Sequence, residues 1–208
     1  MRRGALLVAA LLLTGCGGLS VPEPEGPLTG DRLVTALRDG GLVLYLRHTE
    51  TTEGGIDSVS TLGDCAAQRE LSEAGRHDAH EIGAAFDALA VPVGRVLAGP
   101  FCRTVETAEL AFDEVRTDDA LLALASTGQS QAEQDAAKER VRELLSDEPP
   151  DGENVVLVGH ISNVGPVTGT SPEEGGTVGF RPDGDGGYAL VAEVPPRGWQ
   201  RLAELQSD

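Results

Sequence analysis

Two histidines and two arginines stand where apolar runs of this sequence end. Arg47-His48-Thr49-Glu50 follows Leu42 to Leu46, Gly99-Pro100-Phe101-Cys102-Arg103-Thr104 follows Val93 to Ala98, and Gly159-His160-Ile161-Ser162-Asn163 follows Asn154 to Val158. A neutral imidazole can attack phosphorus and carry a phosphoryl group as a covalent intermediate. Guanidinium groups present paired donors that match phosphate oxygens and neutralise charge as it develops. A second imidazole can donate to the same oxygens. With one imidazole as nucleophile, two arginines as anion binders and the other imidazole protonated as a further donor, positive charge is supplied without a metal or other cofactor. The remaining imidazoles, His77 and His80, fall inside a helical pattern and are expected on its surface or in packing. Arg103 has an alternative reading as a helix-surface ion-pair partner of Glu106.

For these groups to converge, the runs that precede them must be neighbouring strands of one sheet, because open α/β sheets bind ligands beyond the carboxyl ends of their strands. The pattern from Leu28 onward supports that arrangement by alternating helix-like and strand-like segments. Thr29 to Arg38 is expected as a helix stopped by Gly40-Gly41. The uninterrupted run Leu42-Val43-Leu44-Tyr45-Leu46 predicts a strand covered on both faces. Ser72 should cap a helix ending at Leu89, in which Ala79, Ile82, Ala85, Phe86 and Leu89 recur at helical spacing. Further helices are predicted over Cys102 to Phe112, Gln131 to Leu145 and Trp199 to Leu205. A hairpin of Val178 to Phe180 with Tyr188 to Val194 closes through the Asp/Gly-rich turn at 182–187. The acidic residues of that turn lack the spacing of a calcium loop.

A formal charge of −18, from 34 acidic and 16 basic residues, repels nucleic acid and anionic lipid, so neither is a partner of the folded body. Only 3% of residues are aromatic, which leaves Leu, Val and Ala to fill the core. The start has a separate logic. Met1-Arg2-Arg3 precedes a short apolar run to Leu13, the pattern of a secretory signal too short to span a bilayer. Leu13-Thr14-Gly15-Cys16 resembles the bacterial lipobox, which implies a signal peptide over 1–15 and a lipid on Cys16. The Gly/Pro-rich segment 16–28 is then a tether, and 29–208 is the folded domain. Two acyl chains are enough for stable anchoring, so the membrane is expected as a partner only through the lipid. In an oxidising compartment, the remaining Cys65 and Cys102 are expected to pair as a disulfide.

Four blocks together resemble the histidine phosphatase superfamily, phosphoglycerate mutase-like proteins. Leu44 to Glu50 is similar to its Arg-His-Gly/Ala signature, with Thr49 in place of the small residue. Leu71-Ser72-Glu73-Ala74-Gly75 resembles its Leu-Ser/Thr-x-x-Gly helix start. Gly99 to Ala108 resembles Ser-Pro-x-x-Arg-x-x-x-Thr-Ala, and Val156 to His160 resembles the strand that bears the second histidine. The stretches Asp64-Cys65, Gln68-Arg69 and Phe180 to Gly184 look closest to secreted and lipoprotein members. The resemblance implies one three-layer α/β/α domain with a mostly parallel sheet, and a metal-independent hydrolase of a small phosphomonoester. His48 would accept the phosphoryl group in a pocket of Arg47, Arg103, His160 and Thr49. Members also carry an acid that protonates the leaving group. Its position varies, and Glu174, Glu173 and Asp64 are the candidates here, with Glu50 a further one. A chain that lacked it would be a weakly active or inactive phosphate-binding envelope lipoprotein, which is the alternative reading. A mutase role suits the short chain and extracytoplasmic address less well.

Overall fold

The computed structural model describes residues 26–124 and 128–206. The expected signal segment 1–15, the lipidation site Cys16 and the tether up to residue 25 lie outside the described residues. Elements run in the order α1 (Gly30–Asp39), β1 (Val43–Arg47), α2 (Glu73–Leu89), β2 (Val93–Ala98), α3 (Cys102–Ala111), β3 (Val115–Thr117), α4 (Gln131–Ser146), β4 (Asn154–Gly159), α5 (Ile161–Thr168), β5 (Thr177–Pro182), β6 (Tyr188–Val194) and α6 (Gly198–Leu205). The folded body already includes the last tether residue. Leu28 is buried, and its N–H donates to the Val191 carbonyl at 2.6 Å.

The sheet has the order β3-β2-β4-β1-β5-β6. β1, β2, β3 and β4 run parallel, while β5 is antiparallel to both β1 and β6. The unbroken apolar runs of β1 and β4 follow from this placement, since both are interior strands with helices on either face. Successive side chains alternate between faces. Leu44, Leu46, Val156 and Val158 join a core with α1, α2 and α6 residues such as Leu37, Ile82, Phe86 and Trp199. Val43, Tyr45, Val155 and Leu157 join a second core with Val141, Leu144 and Leu145 of α4 and Val164 of α5. The arrangement is the three-layer α/β/α sandwich that the sequence implied.

β3 and α5 were not predicted. β3 spans three residues, too few to show a period. α5 contains Gly165 and Pro166, residues that disfavour helix interiors, and tertiary packing of buried Asn163 and Val164 overrides them. The turn between β5 and β6 is organised by Asp183, whose carboxylate accepts from the N–H groups of Asp185 and Gly187 at 2.9 and 2.8 Å.

Candidate active site

The sheet order places β1 between β4 and β5, with β2 on the far side of β4. The parallel register sets Arg47 opposite Gly159 and Ala98 opposite Val158. The residues just beyond those ends therefore share one edge. His48 is the residue after β1, and its N–H donates to the Gly159 carbonyl at 3.0 Å. His160 follows β4, and the two imidazole centroids lie 5.1 Å apart. Arg103 enters from the first turn of α3, with its side chain only 1% exposed. It stacks on Phe101 at 4.6 Å from the ring centroid.

Each imidazole is held in one tautomer by its partner. His48 Nδ1 lies 2.9 Å from the Thr49 carbonyl oxygen, which only accepts, so Nδ1 carries the proton and Nε2 keeps its lone pair. Burial, reinforced by the charges of Arg103, Arg47 and Arg69, lowers the His48 pKa to about 3. At neutral pH His48 is therefore an uncharged imidazole whose Nε2 bears no proton. His160 Nδ1 lies 3.4 Å from an Arg103 terminal nitrogen, which only donates. Nδ1 therefore accepts, and Nε2 bears the hydrogen. Burial first, then the neighbouring His48 and the arginines, pushes the His160 pKa well below the ordinary histidine value. Without an anion beside it, this shift disfavours the protonated form of His160 that the sequence reading expected.

The placement of His160 comes from a brace. The Tyr45 hydroxyl donates to the His160 carbonyl and accepts from its N–H, both at 3.0 Å. Tyr45 leaves no room for a side chain at residue 159, because a Cβ on Gly159 would collide with the hydroxyl. Asn163 adds a second tie, accepting from the His160 N–H at 3.2 Å and donating to the carbonyls of Ala120 and Leu122 at 3.1 and 2.7 Å.

Around the two imidazoles, three buried donors have no partner among the described residues: Arg47 Nε, Arg103 Nε and His160 Nε2. Buried N–H groups without acceptors are costly, and three at one site suit an oxyanion. A third arginine that the sequence had not nominated joins them. Arg69 donates to Asp57 at 3.4 Å, and its charge reaches both histidines. Asp57 was also missed, and its carboxylate receives both terminal nitrogens of Arg103, at 2.8 and 3.1 Å. The signal for Arg69 was its position three residues before the α2 cap. Asp57 lies in a glycine-rich loop with no periodicity.

The expected carboxylates divide. Glu174 is at the site: it accepts from Arg47 at 3.2 Å and from the backbone N–H and hydroxyl of Thr51 at 3.2 and 3.3 Å. Glu173 and Asp64 are exposed, and Asp64 precedes the 3-10 turn Cys65–Ala67 without contacting the histidines or arginines. Glu50 is engaged with the α2 cap, accepting from the Ser72 hydroxyl at 2.7 Å. Thr49 also departs from expectation. Its side chain is wholly buried and turned toward α3, with its hydroxyl 3.2 Å from that of Thr107. Its backbone N–H also donates to the Thr107 hydroxyl, at 3.2 Å, so Thr49 ties the segment after β1 to α3. Glu106 pairs with Arg76 at 2.6 Å, which leaves Arg103 to the site. His77 and His80 are exposed on α2. The Cys65–Cys102 disulfide is present, with a Cα–Cα distance of 5.6 Å.

No family model and no curated protein matches the sequence. Solved structures do match the fold. The protein histidine phosphatase SixA, solved with tungstate, is 15% identical, with a TM-score of 0.53 over 74% of this chain and 97% of its own. A Mycobacterium tuberculosis open reading frame product is 18% identical, with a TM-score of 0.52 over 74% and 97%. A phosphoserine phosphatase from Entamoeba histolytica, in complex with phosphoserine, is 16% identical, with a TM-score of 0.51 over 76% and 98%. The chain has the histidine phosphatase fold.

Proposed function

We propose that this protein is a phosphomonoester hydrolase that works through a phosphohistidine on His48 and is held outside the cytoplasmic membrane by a lipid on Cys16. The observation that carries the reading is the neutral, Nδ1-protonated His48 at the same sheet edge as three buried donors, on Arg47, Arg103 and His160, that lack partners among the described residues. In the first step the Nε2 lone pair forms a bond to phosphorus, and the bond to the leaving oxygen breaks. Arg47, Arg103 and the His160 Nε2–H stabilise the charge on the remaining phosphoryl oxygens. Water then attacks the phosphohistidine, releasing phosphate and restoring His48. We assign Glu174 to move protons in these steps, as the one expected carboxylate that lies against the phosphate arginines. The tungstate and phosphoserine held by the two phosphatases of like fold support an oxyanion ligand at this site.

A second reading, a phosphate-binding envelope protein without turnover, is favoured by the arginine pairing of both site carboxylates, Glu174 and Asp57. Hydrolysis of para-nitrophenyl phosphate in the presence of chelator, beside a His48→Ala variant, separates the two. Turnover that vanishes in the variant, with an acid-labile phosphate on His48, is expected. Phosphate binding without turnover would establish the second reading. The anchor is tested separately: Cys16→Ser should move the protein from the membrane to the soluble fraction, and an unchanged distribution would refute the lipid.

A further inference from the structure

The phosphate seat lies below the protein surface, and the residues beside it divide by chemistry. His48, Arg103 and His160 are all buried, so a ligand first meets the partly exposed groups around them. The charged groups there are already paired: Arg47 faces Glu174 at 3.2 Å, and Arg69 faces Asp57 at 3.4 Å. Apolar surface stands next to them. The exposed large hydrophobics among the described residues are Ile56, Ile161, Leu190 and Leu205. Two of these adjoin the seat, since Ile56 precedes Asp57 and Ile161 follows His160. Asp57 meets Arg103 at 2.8 and 3.1 Å and Arg103 meets His160 at 3.4 Å, an unbroken line of contacts that brings both isoleucines to one mouth.

Single exposed apolar side chains are ordinary on protein surfaces. These two differ in being displayed from fixed backbone at a ligand site. The Ile56 N–H donates to the Ala67 carbonyl at 2.9 Å. Gly55 before it abuts the backbone of Gln68 and Arg69 so closely that a Cβ there would collide. The Ile56 side chain is nonetheless 61% exposed. Ile161 opens α5 directly after the His160 backbone group that the Tyr45 hydroxyl ties at 3.0 Å, and it is 37% exposed. An apolar group laid across the two would gain contact without first ordering a loop.

We propose that Ile56 and Ile161 are specificity-determining residues that receive the leaving group, and that the substrates are phosphomonoesters of apolar, uncharged alcohols or phenols; this rests on the phosphohydrolase reading above. A leaving group with a carboxylate or second phosphate would need a cation of its own. The arginines at the mouth each face a carboxylate already, in a chain of net charge −18. A leaving group rich in hydroxyls would lose hydration against isoleucine and gain no hydrogen bond from it.

The test is calorimetric titration of methylphosphonate, hexylphosphonate and inorganic phosphate into the full 208-residue chain, at a pH where all three are dianionic. The phosphonates share a head group that cannot be hydrolysed and differ only in the tail. Hexylphosphonate should bind about tenfold more tightly than methylphosphonate, the factor expected for covering about half of two isoleucine side chains. In an Ile56→Ser/Ile161→Ser variant that preference should fall to about twofold or less. Because the readout is a ratio, a general loss of head-group affinity in the variant leaves it unchanged. Equal binding of the two phosphonates by the parent, or a preference that survives the double substitution, would overturn the proposal while leaving the phosphate seat in place. If the parent binds neither phosphonate nor phosphate, the seat itself is misassigned and both readings fall.

Discussion

Opening the Cys65–Cys102 bond should cost this protein a large share of its stability while leaving the site assembled at moderate temperature. The two cysteines are 37 residues apart in sequence, and the loop they close contains all of α2 and β2. Chain-entropy arguments give a closed loop of that length about 4 kcal/mol of stabilisation, by restricting the unfolded chain. For a domain of this size that corresponds to a fall in the melting midpoint of about 8–16 °C. The same junction has a second tie, because the Gln68 side-chain carbonyl accepts from the Cys102 N–H at 2.8 Å. Arg103, the next residue, should therefore keep its place in the reduced protein, and KM should change by less than about threefold well below the midpoint. The assay is thermal unfolding by circular dichroism with and without reductant, repeated with a Cys65→Ser/Cys102→Ser variant to separate the bond from the reagent. A midpoint within about 2 °C of the oxidised protein would refute the entropy argument. A reduced protein that melts as expected but loses phosphate binding at low temperature would refute the claim that Gln68 suffices to hold the junction.

Further outcomes can be checked in the same way. His48 has a folded pKa of about 3 against about 6.5 unfolded, so between those values the unfolded chain binds a proton that the folded chain does not. Stability should therefore rise with pH across that window, by about 1.4 kcal/mol per unit from this group, and be fully present above it. A His48→Asn variant should show a shallower slope in urea melts between about pH 4 and 6, and an unchanged slope would contradict the burial argument. Tyr45→Phe removes both ties that brace the His160 backbone and should lower kcat about 10- to 100-fold with about 1–3 kcal/mol of stability, read by steady-state kinetics and melting. Wild-type kcat would show the brace to be dispensable. Gly75→Ala drives a Cβ into the Glu50 carbonyl at the junction of α2 with the site loop, and should destabilise by about 1–3 kcal/mol; an unchanged midpoint would mean the loop yields freely.

Much of this protein is legible in its sequence. The runs Val93 to Ala98 and Asn154 to Gly159 coincide with β2 and β4, and Ser72 caps α2 by accepting from the Gly75 N–H at 2.9 Å. These features rest on local physics: an apolar run long enough for a buried strand, and a hydroxyl one turn ahead of free N–H groups. The pairing of Cys65 with Cys102 was also reachable, since an expected oxidising address, with Cys16 expected to carry lipid, leaves two cysteines one way to pair. So was the presence of His48, Arg103 and His160 at strand ends.

What the sequence left open depended on direction and on distant partners. Thr49 follows His48, yet it turns toward Thr107, 58 residues away, because α3 packs against the segment that leaves β1. Glu173 and Glu174 are adjacent and chemically alike, and only the path of the loop into β5 decides that the second meets Arg47. Asp57 carries no local mark at all. It reaches Arg103 across 46 residues because α2 packs beside α3 and the disulfide holds the intervening loop against the start of α3. The downward shift of the His160 pKa likewise comes from its surroundings, burial first and then His48 and the nearby arginines, which make the proton less favourable. Periodicity and capping determined the elements of this protein. The tertiary structure alone decided which charges share the site, because electrostatic partners are set by a few ångströms in space and not by separation along the chain.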